Sequence, residues 1–290
     1  MLVPGSSSAR RGCNNRQSMY SMFTLGIWIC AFATVLLLPR IVMDPNGVDP
    51  FLLRLSALGL LWIAVCSLPA ARPQLPLALS VTAIILPYSC YLAGPSLAAR
   101  IGWSSPALSL GLGGILELCT TLALLAALLA TNATPGIWRR ISLRRILPYG
   151  TGLAGCVVLT LILLLVPAVP LGRLGIATLS LHQNGWGYLL GDGFQGIAQE
   201  IAFRAMLLSV LERSMSRSHA NLLQAGIFSL AHLAVQYEGP SLPLLPLTLL
   251  LGLLLGWITQ KLESVWAAAI IHGFLDVAID IGILPGLYGG

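Results

Sequence analysis

The chain has 290 residues, of which 57% are hydrophobic and only 9% charged, and its formal net charge is +6. Soluble domains carry about 25% charged residues, so this composition excludes an ordinary water-soluble domain. The basic residues stand at the ends of apolar stretches, as topology determinants do, with no basic stripe interleaved with aromatics, so no nucleic-acid partner is expected.

Between short polar connectors lie apolar stretches close to the ~20 residues that cross a hydrocarbon core as helix. A β-barrel strand would alternate apolar with polar residues, and runs such as Leu247 to Leu255 do not. The expected fold is therefore all-α, a polytopic transmembrane helix bundle of about eight to nine spans. In chain order, residues 1–19 read as a cytoplasmic tail. Arg10, Arg11 and Arg16 precede an apolar run too long for a signal-peptide core, so the first helix is retained. Region 20–130 holds four spans, near Tyr20–Leu38, Phe51–Ala70, Leu75–Ala93 and Leu108–Ala130. Residues 131–147 form a basic cytoplasmic loop, and 148–186 a linking helix (Pro148–Val169) with its loop. Residues 187–284 hold the last four spans, Gly187–Leu211, Ala220–Val235, Leu242–Ile258 and Val265–Leu284.

With the amino terminus in the cytoplasm and the spans alternating, the cytoplasmic side collects Arg10, Arg11, Arg16, Arg72, Arg139, Arg140, Arg144, Arg145, Arg213, Arg217 and Lys261. The opposite side keeps only Arg40, Arg100 and Arg173. That bias predicts a multi-pass protein of the cell (plasma or inner) membrane with a cytoplasmic amino terminus. Five of the six cysteines fall in apolar segments and none forms a CxxC pair, which suits small buried hydrophobes better than disulfides or metal ligands.

In the first four helices only Arg54, near a helix end, and Glu117 carry intramembrane charge. The last four differ. An ionisable group at mid-bilayer costs about 2.5–3.5 kcal/mol on insertion scales, so packing alone would not choose one. The sixth span contains Gln199-Glu200-Ile201-Ala202-Phe203-Arg204. Glu200 and Arg204 share a helix face at i, i+4, and taken alone they read as a self-neutralising structural pair. Gln199 is rotated by about 100° from Glu200. The seventh span contains Phe228 one turn before His232, and a lone histidine there is more often hydrogen-bonded core than catalyst. The ninth contains His272 and Asp276, again on one face at i, i+4, which can hold a tautomer, bind a metal or polarise a carbonyl. Short connectors make these helices neighbours, so Glu200, His232, His272 and Asp276 are expected to converge on one cavity.

Together the three patterns resemble the CPBP family of intramembrane proteases, also called the Abi or CAAX-protease-like family. Its pattern is EExxxR, then FxxxH, then HxxxN or HxxxD. Here these read Gln199-Glu200…Arg204, Phe228…His232 and His272…Asp276, over about residues 187–282. The resemblance implies a hydrolase whose cavity opens within the membrane, acting on a membrane-embedded or lipid-anchored protein or peptide. The family's leading glutamate and FxxxH histidine activate a water, and its last motif stabilises the oxyanion. Carried over by position, His232 orients water, His272 and Asp276 face the tetrahedral intermediate, and Glu200 and Arg204 brace the site.

The departure is Gln199, which stands where the leading glutamate is expected. An amide has no useful basicity, although it can hydrogen-bond to a water. The residues therefore leave several readings open: Glu200 takes over as base, His232 acts alone, or the chain is a pseudoprotease that scaffolds or regulates a partner. A transporter is a further reading, weakened by the lack of an inverted repeat. No cofactor is expected. If zinc were bound, its ligands would come from His232, His272, Asp276 and Glu200, but no HExxH is present.

Overall fold

The computed structural model describes residues 50–67, 73–102, 105–131, 136–145, 187, 190–234 and 245–278. The spans expected at Tyr20–Leu38 and Pro148–Val169 lie outside the described residues, as do Asp280 and the end of the ninth span. All regular structure among the described residues is helical. The elements are α1 (Pro50–Ser67), α2 (Leu75–Arg100), α3 (Pro106–Ala130) and the short α4 (Gly136–Ile141). Then come α5 (residues 190–211), α6 (Arg217–Ala231), α7 (Leu245–Leu262) and α8 (Trp266–Ala278).

Among the described residues, three helices are long and apolar enough to cross a bilayer. They are Leu75–Gly94 within α2 (mean hydropathy 1.7), Ser109–Ala130 within α3 (2.1) and Leu245–Leu262, which is α7 (1.5). Twenty helical residues rise about 30 Å, the thickness of the hydrocarbon core. Hydroxyls inside α2 are satisfied within the helix: Ser80 donates to the Pro76 carbonyl at 2.9 Å, Thr82 to Ala78 at 2.8 Å, and Ser89 to Ile85 at 2.7 Å. Such local bonds let polar side chains enter a medium without water. The α2 helix continues through Pro87 and Pro95 to Arg100, past the end expected at Ala93.

The helices approach closely where glycines face each other, the usual device for packing without a hydrophobic driving force. A Cβ on Gly94 would lie 2.6 Å from the Gly113 Cα, which brings α2 against α3. A Cβ on Gly114 would lie 2.6 Å from the Leu190 carbonyl oxygen, which brings α3 against α5. One apolar core joins Ile85 of α2, Leu128 of α3, Met206 and Leu207 of α5 and Phe228 of α6. The amino-terminal helices thus pack into the same core as the carboxyl-terminal ones.

Two of the motif-bearing helices depart from regular α-geometry. Within α5, Ile201–Leu207 is a π-helix, after which α-geometry resumes over Leu208–Leu211. Such segments are frequent at functional sites. The seventh span, expected to run to Val235, ends as α-helix at Ala231, and His232 begins a 3-10 turn, His232–Ala234. His232 is therefore at a helix terminus rather than mid-helix. The eighth span starts at Leu245, beyond Pro243, with Pro246 in its first turn, where the missing N–H costs nothing.

The basic segment docks onto the bundle. Arg140 of α4 donates from Nη1 to the Arg204 carbonyl at 3.1 Å and to Ser209 Oγ at 2.9 Å, and from Nη2 to Glu212 Oε2 at 2.5 Å. Burial pushes its guanidinium down from the usual range, and Glu212 acts against that shift. Arg139 pairs with Glu263, and Trp266 Nε1 donates to the Ile141 carbonyl at 2.9 Å.

Candidate active site

The neighbours Gln199 and Glu200, just before the π segment, stand about 100° apart around α5 and meet different surroundings. Glu200 is fully buried, and its Oε1 accepts from Arg204 Nη1 at 2.7 Å and from His272 Nδ1 at 2.8 Å. The helical i, i+4 spacing supplies the first bond. The second is tertiary and depends on the meeting of α5 and α8, where a Cβ on Gly196 would lie 2.6 Å from the Gly273 Cα. Arg204, also fully buried, reaches the Gly252 carbonyl of α7 at 3.5 Å. Glu200 thus ties its own helix to α8, and Arg204 ties it to α7.

His272 lies between two carboxylates, because its Nε2 is 3.5 Å from Asp276 Oδ2 while Nδ1 faces Glu200. The i, i+4 pairing expected for His272 and Asp276 is present, and Glu200 makes it a chain of three. His232 is held differently. Its Nδ1 is 2.8 Å from the Phe228 carbonyl oxygen. That oxygen can only accept, so Nδ1 carries the proton and Nε2 keeps its lone pair.

Phe228 connects the two imidazoles. Its ring centroid is 4.5 Å from that of His232 and 5.4 Å from that of His272, both edge-on. Phe203 meets the same ring edge-on at 5.2 Å, and the Arg204 guanidinium lies 4.4 Å from its centroid. Such geometry suits the ring quadrupole, whose faces attract cations and the positive edges of other rings. The three motifs therefore meet around one buried aromatic side chain.

Beside this cluster opens a small cavity. Ile84 and Tyr88 of α2, Glu117 of α3, Gln199 and Phe203 of α5, and His232 after α6 are on its wall. Gln199 and His232 share the cavity, whereas Glu200, His272 and Asp276 are not among its lining residues. Two features of the wall come from the amino-terminal helices. Pro87 has no N–H to give to the carbonyl of Ala83, which also borders the cavity. Glu117 is 2% exposed, and its Oε2 has no hydrogen-bond partner among the described residues. Glu117 belongs to none of the three motifs. Its signal was a carboxyl group in the middle of a 25-residue apolar helix.

The residues considered as zinc ligands do not point at one place. Glu200 Oε1 is committed to Arg204 and His272, and His232 Nδ1 to a backbone carbonyl. Among the described residues no group of three or more His, Cys, Asp or Glu side chains is placed to hold a metal ion.

The family model described as type II CAAX prenyl endopeptidase Rce1-like matches residues 182–278. This segment is similar to that family's domain. The match is consistent with the CPBP family and covers all three motifs. No curated protein and no solved structure matches the chain. The matched segment contains Gln199, Glu200, Arg204, Phe228, His232, His272 and Asp276. Glu117 and Arg140 lie outside it.

Proposed function

We propose that the protein is an intramembrane endopeptidase of CPBP type. It hydrolyses a peptide bond in a membrane-associated protein or peptide, lipid-anchored or embedded in the bilayer. The observation that carries this reading is the cavity between the Rce1-like segment and the amino-terminal helices, where the Nδ1 hydrogen bond leaves a neutral His232 with its Nε2 lone pair free. A neutral imidazole held by its other nitrogen is the usual arrangement of a general base or of a group that orients water.

In this reading water enters the cavity between His232 and Gln199. The Gln199 amide hydrogen-bonds to it without taking its proton. Glu200 and Arg204 hold α5, α7 and α8 in register. In this reading His272, held between Glu200 and Asp276, takes the oxyanion role that the family pattern gives the last motif, and Asp276 keeps its imidazole oriented. Positioned groups and a water suffice for this chemistry, so the proposal includes no metal. The setting is the cell membrane, with the amino terminus in the cytoplasm.

Purified protein incubated with a farnesylated peptide ending in a CAAX sequence tests the proposal. Cleavage that is lost in His232→Ala and reduced in Glu200→Ala supports it, and equal rates in all three proteins remove it. A second reading rests on Gln199 at the cavity wall: the chain keeps the fold as a pseudoprotease that binds a membrane partner. Natural protein without activity, and a Gln199→Glu variant with it, would decide for this alternative.

A further inference from the structure

Gln199 cannot take a proton from water, yet the cavity it lines contains a carboxylate from another part of the chain. Glu117 borders that cavity together with Gln199 and His232, is 2% exposed, and has one carboxylate oxygen without a hydrogen-bond partner among the described residues. Burying such a group in an apolar helix is costly, and among the described residues its free oxygen has no partner to offset that cost. Its placement is enforced by packing. Gly114, one turn earlier on the same face of α3, lets the helix approach α5 so closely that a Cβ there would lie 2.6 Å from the Leu190 carbonyl oxygen.

We propose that Glu117 is the catalytic carboxylate of this protein, doing from α3 what the first glutamate of EExxxR does on the sixth span of the family pattern. This rests on the peptidase reading. As the water oxygen bonds to the scissile carbonyl carbon, a water proton passes to the Glu117 carboxylate and the carbonyl π pair moves onto oxygen. When the intermediate collapses, the C–N bond breaks, the re-formed carbonyl belongs to the new carboxyl group, and the leaving nitrogen takes the proton back from Glu117. Water and amide are consumed, acid and amine are formed, and Glu117 ends as it began. Gln199 positions the water, and His232 Nε2 accepts its second hydrogen bond.

The test compares four full-length proteins on a farnesylated CAAX peptide: the natural chain, Glu117→Gln, Gln199→Glu, and the double variant Glu117→Gln/Gln199→Glu. Glutamine keeps the size of Glu117 and removes only its charge, and thermal unfolding in detergent verifies that each variant folds. The natural chain should cleave. Glu117→Gln should be slower by about 100-fold or more, the low end of what a positioned base supplies. The double variant should recover to within about tenfold of the natural rate, because the carboxylate returns to the same cavity from the other wall. Rescue separates a catalytic role from a structural one, which a charge at 199 would not restore. Natural rates in Glu117→Gln overturn the inference and leave the peptidase reading standing, as does a loss that the double variant fails to rescue. An inert natural chain with an active Gln199→Glu also overturns it. Four inert proteins overturn the peptidase reading itself.

Discussion

Gly196 of α5 and Gly273 of α8 pack so closely that a Cβ built on Gly196 would stand 2.6 Å from the Gly273 Cα. One turn away on α5, Glu200 receives the Nδ1 hydrogen bond of His272, the immediate neighbour of Gly273, at 2.8 Å. The approach of two backbones is what puts a carboxylate within reach of an imidazole.

Replacing Gly196 by alanine should therefore act at a distance of one helical turn. The added methyl meets backbone, which cannot rotate away, and overpacking of this kind costs about 1–3 kcal/mol. The expected outcome is a lower midpoint of thermal unfolding in detergent and reduced peptidase activity. Gly193→Ala, where a Cβ would meet nothing within 4 Å, is the control and should leave both unchanged.

Glu200 Oε1 is shared by two groups, so its removal should cost more than one bond. Glu200→Ala leaves the buried Arg204 without its carboxylate and His272 without its acceptor. Breaking a buried ion pair from one side costs about 3–5 kcal/mol. The paired variant Glu200→Leu/Arg204→Leu removes both charges and should recover much of that stability, but not cleavage. Unfolding curves and peptidase rates measured on the same preparations would separate the two effects.

Arg140 makes three hydrogen bonds with one guanidinium, to the Arg204 carbonyl, Ser209 and Glu212. Arg140→Ala should loosen α4 and expose the basic segment to limited proteolysis. Arg140→Lys should fail to restore protection, because an ammonium group cannot present the planar fork that reaches all three acceptors. Protection equal to the natural protein in Arg140→Lys would show that charge alone holds the segment.

Phe228 supports both imidazoles and the Arg204 guanidinium with one ring. Phe228→Leu keeps apolar volume and the backbone carbonyl that binds His232, while it removes the ring faces and edges. The desolvated cation–π contact alone is worth about 2 kcal/mol. Thermal stability should fall, and the cleavage rate should lie between those of the natural protein and His232→Ala.

Much of this arrangement was legible in the chain. The i, i+4 pairs Glu200–Arg204 and His272–Asp276 are consequences of helical geometry and are present as bonded or facing pairs. The parting of Gln199 from Glu200 follows from the rotation of about 100° per residue. The termination of α6 at His232 was not legible, since an apolar run from Ala220 to Val235 carries no proline or glycine near that point. Nor was the π segment, because its i, i+5 bonding has no compositional mark. The cavity wall was the hardest part to foresee. Glu117 and Tyr88 are far from the motifs in sequence, and they border it only because α2 and α3 pack onto α5.

Composition and local spacing by themselves determined an all-helical chain with membrane-length apolar helices, and which side chains share a face with a neighbour one turn away. These are properties of a single helix, set by hydropathy and by 3.6 residues per turn. The tertiary structure decided which faces meet. It assigned Glu200 to His272 and Gln199 to the cavity with His232, and it brought Glu117 to that cavity's wall. Those pairings depend on contacts between helices distant in sequence, at glycines whose partners no local pattern announces.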